Sequence, residues 1–438
     1  MNGRSSQRPA RTPRPAPAPI AGLATRTAAL RLIDAVLRRG DPLDQAAPPL
    51  LRAIERGDDR ALALAIAQET LRWLTDCDRL IDSAMRQPLP ADAKARSVLR
   101  LMLVQVMRLH LPAHAVIATG LPLLSGGPRR LAHGVFSAIL NGGTGLPAAP
   151  TLPLAVHDRW SVAWPDRLNA IAAGLAEPPP LDLTLADRAA TADWAERLGG
   201  ISLMPGHVRC PRGQAVESLP GFAEGAWWVQ DLAAALPARL IGAPPRAGAR
   251  ALDLCAAPGG KTLQLAAAGW QVTALDKSAR RLERLEENLA RTGLAAQTVT
   301  ADALNWTPDH GFDAILIDAP CSATGTARRH PDVLHRLPAI DDLTALQAAL
   351  VARAARWLNP GGVMVYAVCS LEPAEGEDQA RLVSTPPAPI TAAELPAGLA
   401  PTAEGWLRSD PGHLAEAGGV DGFFAARWRA DPAEAPAP

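Results

Sequence analysis

Lysine is nearly missing: Lys94, Lys261 and Lys277 are the only three in a chain of 438 residues with 44 basic side chains. Its positive charge is therefore almost wholly arginine. Cysteine is scarce and badly spaced for cross-linking. Cys77, Cys210, Cys255, Cys321 and Cys369 are scattered, odd in number and include no CxxC pair. That argues against a disulfide framework or a structural zinc site and suits a reducing cytoplasm. No apolar run approaches the roughly 20 residues that span a bilayer, and the first residues lack the apolar stretch of a secretory signal. A cytoplasmic chain with neither membrane segment nor metal is expected. Net charge is also missing, at zero overall, but it is unevenly spread. Residues 1–150 hold 20 Lys plus Arg against 11 Asp plus Glu, so the remainder carries an excess of nine negative charges. A basic N-terminal third is the footprint expected of a protein that meets RNA. A solvated arginine-rich surface has the same composition, so charge leaves both readings open.

At this length two or three domains are expected. Residues 1–22, dominated by RPARTPRPAPAP, cannot bury apolar surface and read as a disordered tail. From 23 to 145 the text is helical. RTAALRLIDAVLRRG, ALALAIAQETLRWLTDCDRLIDSAM, ARSVLRLMLVQVMRLH and HGVFSAILNGG repeat apolar residues at helical spacing, and Gly40 behind Arg38 and Arg39 is a stop signal. A proline-rich linker, Pro147 to Pro153, opens a mixed segment over 146–245, with a helix near 165–176 and a short strand in LDLTL. From 246 to 430 strands alternate with helices: ALDLC, QVTALD, TVTAD, FDAILID, GVMVYAV and a last strand in DGFFAARWR. Such alternation implies an α/β fold whose sheet is mainly parallel, with helices on both faces.

The first of these strands runs into Cys255-Ala256-Ala257-Pro258-Gly259-Gly260-Lys261-Thr262. Glycines there let backbone approach a ligand, and a helix N-terminus follows. Asp276 ends the second strand, where a carboxylate accepts hydrogen bonds from the ribose of a nucleoside cofactor, and Asp302 ends the third, beside the adenine edge. A methyl donor of nucleoside type is the reading that fits. The competing reading is a P-loop, since the segment nearly spells GxxxxGK[ST] and ILID resembles a magnesium-holding strand. Against it, Cys255 replaces the first glycine and Pro258 removes an amide from the phosphate cradle.

Two further strand ends carry cysteine: Asp318-Ala319-Pro320-Cys321-Ser322 after the fourth strand, and Val368-Cys369-Ser370 after the fifth. In a parallel sheet these converge on the cofactor loop. Free cysteine often packs at strand ends as a small hydrophobe, but two beside a cofactor loop and an acid suggest chemistry. Carbon 5 of cytosine becomes nucleophilic once a thiolate adds to carbon 6, and a carboxyl such as Asp318 near N3 stabilises the charge of addition. Cysteine suits the role because it keeps some thiolate at neutral pH. Cys77, Cys210 and Cys255 are expected to be structural, Cys255 by shaping the loop.

LDLCAAPGGKT, ALDKS, TADA, DAPCSATG and YAVCSLEPAEGE together resemble the RNA 5-methylcytosine methyltransferases of the RsmB/Sun (Fmu) family. GTARRHPDVLHRL is similar to the members that act on bacterial small-subunit rRNA, and LPAHAVIATG with HGVFSAILNGG resembles their NusB-like RNA-binding domain. The resemblance covers nearly the whole chain from about residue 22. It implies a Rossmann-like seven-stranded S-adenosylmethionine-dependent core, a preceding all-α NusB-like domain, monomeric action and a cytosine in 16S rRNA. Carried over, Cys255, Ala256, Ala257, Pro258, Gly259, Gly260 and Lys261, with Asp276, Asp302 and Asp318, bind the cofactor. Cys369 is then the nucleophile, and Cys321 assists product release. Gln230-Asp231 matches the family's segment before the core. Three positions depart from the pattern: Val368 for a usual threonine, Gly376 for a common asparagine, and LDLTL without the usual arginine and asparagine. A tRNA cytosine methyltransferase and a non-catalytic RNA-binding assembly factor are the alternatives.

Overall fold

The structure, a computed structural model, describes residues 20–336 and 339–432. The tail expected over 1–22 lies, as far as residue 19, outside the described residues. Contacts divide the chain into two compact units: one built chiefly from residues 44–70 and 77–145, the other from everything after Leu146 with the short pieces 35–43 and 71–76.

Seven helices fill the first stretch: α1 (Leu23–Arg39), α2 (Leu43–Leu51), α3 (Gly57–Arg72), α4 (Leu74–Ser83), α5 (Lys94–Met107), α6 (Ala113–Gly120) and α7 (Gly126–Asn141). Gly40 ends α1 with φ +71°, a backbone state glycine reaches without strain. The single helical run expected over 61–85 is two helices, broken at the buried Trp73. α5 is buried on nearly all sides, with Val98, Leu99, Leu101, Met102, Leu103 and Val104 fully covered, as the central rod of a bundle must be. It also buries two arginines. Arg100 donates to Asp78 at 2.7 and 2.8 Å, and Arg96 reaches Asp78 at 3.1 Å and Asp82 at 2.5 Å. These pairs take equal numbers of both signs and leave the basic excess of this region unchanged. Among the described residues no helix is long and apolar enough to cross a membrane.

The second unit begins with α8 (Leu154–Ala163) and α9 (Leu168–Gly174). A three-stranded antiparallel sheet follows, ordered β2 (His207–Cys210), β1 (Leu181–Leu185), β3 (Trp227–Val229), with α10 (Thr191–Arg197) between β1 and β2. LDLTL is β1, as its alternation suggested. Its Asp182 is buried and held by Arg209 through two bonds of 2.7 Å, with His207 Nε2 at 3.3 Å. Burial alone would raise this carboxyl. Arg209 and His207 outweigh it and hold the group far below the usual carboxylate range.

The main sheet has seven strands. Those carrying the site are β4 (Arg250–Leu254), β5 (Gln271–Asp276), β6 (Gln297–Thr300), β7 (Phe312–Asp318) and β8 (Leu358–Val368), all parallel. β9 (Leu407–Ser409) and β10 (Phe423–Arg429) close it, giving the order β6-β5-β4-β7-β8-β10-β9 with β10 antiparallel to both neighbours. α11 (Leu232–Ile241) and α12 (Gly260–Ala267) cover one face, while α13 (Ala279–Thr292) crosses from β5 to β6. The opposite face is covered by α14 (Ile340–Ala355), and α15 (Glu377–Arg381) follows β8. Alternation sorts the core: Ala314 and Leu316 of β7 pack with α11, Ile315 and Ile317 with Leu350 of α14.

Arg209→Met is expected to lower stability by about 3–5 kcal/mol, because it leaves the Asp182 carboxylate buried without its partner. Chemical denaturation of the full chain measures it, and a loss below about 1 kcal/mol would contradict the argument.

Candidate active site

Register aligns Leu254, Leu275, Ile317 and Tyr366 on one level. The next residue along each chain, Cys255, Asp276, Asp318 and Ala367, therefore forms a row at the carboxyl ends of the strands. β4 sits where the strand order reverses, with β5 on one side and β7 on the other. Open α/β sheets hold their ligands in the crevice at such a switch point.

The glycine loop is built by opposing demands. Cys255 takes φ +62°, turning the chain out of β4. Ala256 N–H then bonds Leu275 O at 3.0 Å, and Ala257 N–H bonds Asp276 Oδ2 at 3.2 Å. Asp276 accepts also from Ser278 N–H at 2.9 Å, and the Arg281 guanidinium stands 3.4 Å away. Gly259 has φ +106°, and a Cβ there would meet Leu285 Cδ1 at 2.3 Å, so only glycine serves. Thr262 gives its hydroxyl to the buried Asp253 at 2.6 Å, and Lys261 Nζ bonds Asp318 Oδ2 at 2.7 Å. In a P-loop these two side chains would serve metal and phosphate. Here both bond internal carboxylates.

Lys261 is the residue whose partner the sequence did not reveal. Its ammonium lies 5.1 Å from the centre of the Phe423 ring as well as against Asp318. Burial would lower its pKa, but Asp318 more than compensates and raises it, so the cation persists at neutral pH. Asp318 uses one oxygen on this pair, and its side chain remains 29% exposed. Asp302 departs from expectation: β6 stops at Thr300, and Asp302 stands exposed two residues beyond. Its carboxylate accepts from Leu304 N–H at 2.9 Å, a local Asx turn that competes with continuation of the strand. Gln230 and Asp231 pin the preceding segment to the core. Gln230 bonds Gln264 of α12 at 2.9 Å, and Asp231 caps α11 by accepting from Ala233 N–H at 2.9 Å.

The two cysteines meet. Cys321 Sγ and Cys369 Sγ are 3.5 Å apart, and Gly325 N–H bonds the Cys369 carbonyl at 3.0 Å. The hydrogen bond with Cys369, followed by burial, pushes the Cys321 thiol well up. Cys255 is pushed up to about 12 by burial and by Asp318 and Asp276. Cys210, in β2, is pushed up to about 11 by burial and by Asp182. Gly376, where the pattern favours asparagine, is crowded: a Cβ would lie 2.9 Å from Phe424 Cγ and would also displace Arg408 Nη2. Sequence reasoning also passed over Phe423 and Glu375: the first lies in the strand DGFFAARWR and the second inside the motif YAVCSLEPAEGE, but neither was singled out for a role.

Beside the loop opens a cleft of about 300 Å³, lined among others by Trp228, Gln230, Pro258, Gly260, Lys261 and Asp318. An adenosyl cofactor fits the residues present. The cleft at the switch point offers it the Pro258–Lys261 loop and the Asp318 side chain, while Asp276 lies behind the loop, buried, with its oxygens on Ala257 and Ser278 N–H.

Residues 241–429 match the family model of the 16S rRNA methyltransferase RsmB/F, and residues 23–125 match that of the NusB family. The chain is 35% identical to the ribosomal RNA small subunit methyltransferase B of Xanthomonas campestris, over 92% of this chain and 96% of that protein. The Pseudomonas syringae protein of the same name is also 35% identical, with the same coverage. The chain belongs to the RsmB family. It is an S-adenosylmethionine-dependent RNA methyltransferase, with the NusB-like helical region ahead of the catalytic core. Among solved structures, that of PH0851 overlays with a TM-score of 0.68 at 21% identity, covering 91% of this chain and 98% of the other. A methyltransferase homologue from Pyrococcus horikoshii overlays at 0.51 and 26% identity, covering 63% and 94%.

Asp253 supplies a test of these electrostatics. Complete burial, with Asp318 and Asp276 nearby, pushes its carboxyl up to about 7 against the Thr262 hydrogen bond. A folded pKa above the unfolded one gives stability at low pH that is lost as pH rises through about 7. Asp253→Asn is therefore expected to reduce the stability loss between pH 6 and pH 8 by on the order of 1 kcal/mol. Equal slopes for the two proteins in thermal denaturation across that range would contradict the assignment.

Proposed function

We propose that this enzyme methylates carbon 5 of a cytosine in small-subunit (16S) rRNA through a covalent adduct between Cys369 and carbon 6 of the base. The observation that carries the reading is the pair of thiols 3.5 Å apart beside the Lys261–Asp318 ion pair. One thiol must add to the base and leave it. A second thiol in contact with the first is what a separate release step calls for.

The roles follow from the surroundings. Cys369 holds the position that the family pattern gives to the nucleophile and is the group that adds, with Cys321 lying against it at 3.5 Å. Asp318, steadied by Lys261 and still partly exposed, is available to the N3 edge of the base and stabilises charge as carbon 6 becomes bonded to sulfur. The loop Cys255–Lys261, with Asp276, Asp302 and Asp318, would hold S-adenosylmethionine. When bound, that cofactor supplies the methyl group that carbon 5 accepts. The carbon 5 proton then has to leave before the Cys369–carbon 6 bond can break, and Cys321 stands where it can assist that departure. Cys255, kept protonated, shapes the loop. The relatives' names, together with the basic NusB-like region, favour rRNA over tRNA. Cytoplasmic action as a monomer and the division at residues 22, 145 and 245 belong to the same proposal.

The test is site-resolved 5-methylcytosine in 16S rRNA incubated with cofactor and protein. Wild type is expected to methylate one cytosine. Cys369→Ala should lose at least about a thousandfold in rate, the scale set by removing a catalytic nucleophile. Cys321→Ala should instead accumulate protein bound to RNA on a denaturing gel. Normal turnover in both variants would refute the mechanism. Methylation of tRNA but not rRNA would move the substrate, and failure to bind cofactor would favour an assembly factor.

A further inference from the structure

We propose that Glu375 is the positioning residue that sets the separation of the two thiols, by holding the loop after each cysteine with a single carboxylate. The inference rests on the two-cysteine reading above and extends it.

Glu375 is completely buried. Its Oε2 accepts from Ser322 Oγ at 2.5 Å and from Ser370 Oγ at 2.6 Å. Ser322 directly follows Cys321, and Ser370 directly follows Cys369. Oε1 accepts from the Ser322 backbone N–H at 2.9 Å and from Gln347 Nε2 at 3.1 Å. Gln347, on α14, also donates to Pro320 O at 2.9 Å, so the same amide steadies the chain just before Cys321. The carboxylate is fixed in turn, because the Tyr366 hydroxyl donates to the Glu375 carbonyl at 2.6 Å.

Four donors on one buried carboxylate are charge-assisted bonds, shorter and stronger than neutral ones. Among the described residues no lysine or arginine bridges Glu375, so the serines and Gln347 supply the stabilisation a salt bridge would give. A residue serving the core alone would not need acceptor geometry matched to two separate active-site loops. The consequence for chemistry is positional. Addition by one sulfur and release assisted by the other require both near the same carbon atoms, and a displacement of about 1 Å can cost on the order of a hundredfold in rate.

The two serines belong to different loops, Ser370 to that of Cys369 and Ser322 to that of Cys321, which makes the role testable. Their hydroxyls also meet each other at 3.0 Å, so Glu375 Oε2 holds a joined pair. With the full chain and 16S rRNA, Glu375→Gln is expected to lower kcat by about 10–100-fold while KM for RNA and Kd for cofactor stay within about twofold. Ser370→Ala should slow formation of the covalent adduct, whereas Ser322→Ala should form it normally and release it slowly. A readout independent of turnover is oxidation by diamide, which takes two electrons from the paired thiols to form a disulfide. Joining of Cys321 to Cys369, followed by peptide mass, should slow at least about fivefold in Glu375→Gln.

Wild-type turnover and wild-type disulfide formation in Glu375→Gln would overturn the inference. So would loss of cofactor binding together with activity, which would mark a general support of the fold. If Glu375→Gln does not fold, the two serine variants decide: equal effects on adduct formation and release would also overturn it. Absence of any adduct in Cys321→Ala would instead refute the underlying cysteine mechanism, and the diamide result would still report on Glu375.

Discussion

The chemistry of this enzyme depends on parallel pairing among β5, β4, β7 and β8. Parallel strands joined by helical crossovers all end at the same edge of the sheet, so residues far apart in the chain arrive in one row. Cys255, Asp276 and Asp318 share that row, and Cys369 follows two residues past Ala367. A slip of one residue in β7 would turn Asp318 to the other face, away from Lys261. The alternating core prevents it, since Ile315 and Ile317 would then exchange cores with Ala314 and Leu316.

Around that row the protein handles buried carboxylates in different ways, and the differences track their positions. Asp182 is neutralised by Arg209 and ties the small sheet to the C-terminal region, because Arg209 also donates to Ala417 O at 2.6 Å. Asp253 has one hydroxyl partner and a raised pKa. Glu375 has four donors and joins two loops. Of these four, Asp318 alone keeps a partly exposed side chain, as the role proposed for it requires. Lys261 links the cofactor loop to this acid and lies against Phe423, so the last strand of the sheet is joined to the first.

In the helical region charge counts do not locate the surface that meets a partner. Arg96 and Arg100 are paired with Asp78 and Asp82 within the bundle, which leaves the net excess unchanged but takes two of its arginines off the surface. What remains for RNA is the exposed remainder, a property of surface rather than of composition.

Periodicity and motifs established the class of the fold, the bounds of β5 and β7, the glycine loop and the convergence of both cysteines beside it. These are local signals: alternation, a turn, a residue at a strand end. Tertiary structure decided the rest. The break between α3 and α4 lies inside one apolar pattern, and only packing around Trp73 places it. Asp302 reads as a strand terminus until its own turn captures its side chain. Lys261 reads as a loop cation with no visible partner until folding brings Asp318, 57 residues away, to 2.7 Å. Glu375 lies in a loop whose spacing indicates no partner, and it acquires one only because β7 and β8 are neighbours. Pairwise distances between residues remote in sequence depend on register and crossover geometry, and no local pattern encodes them.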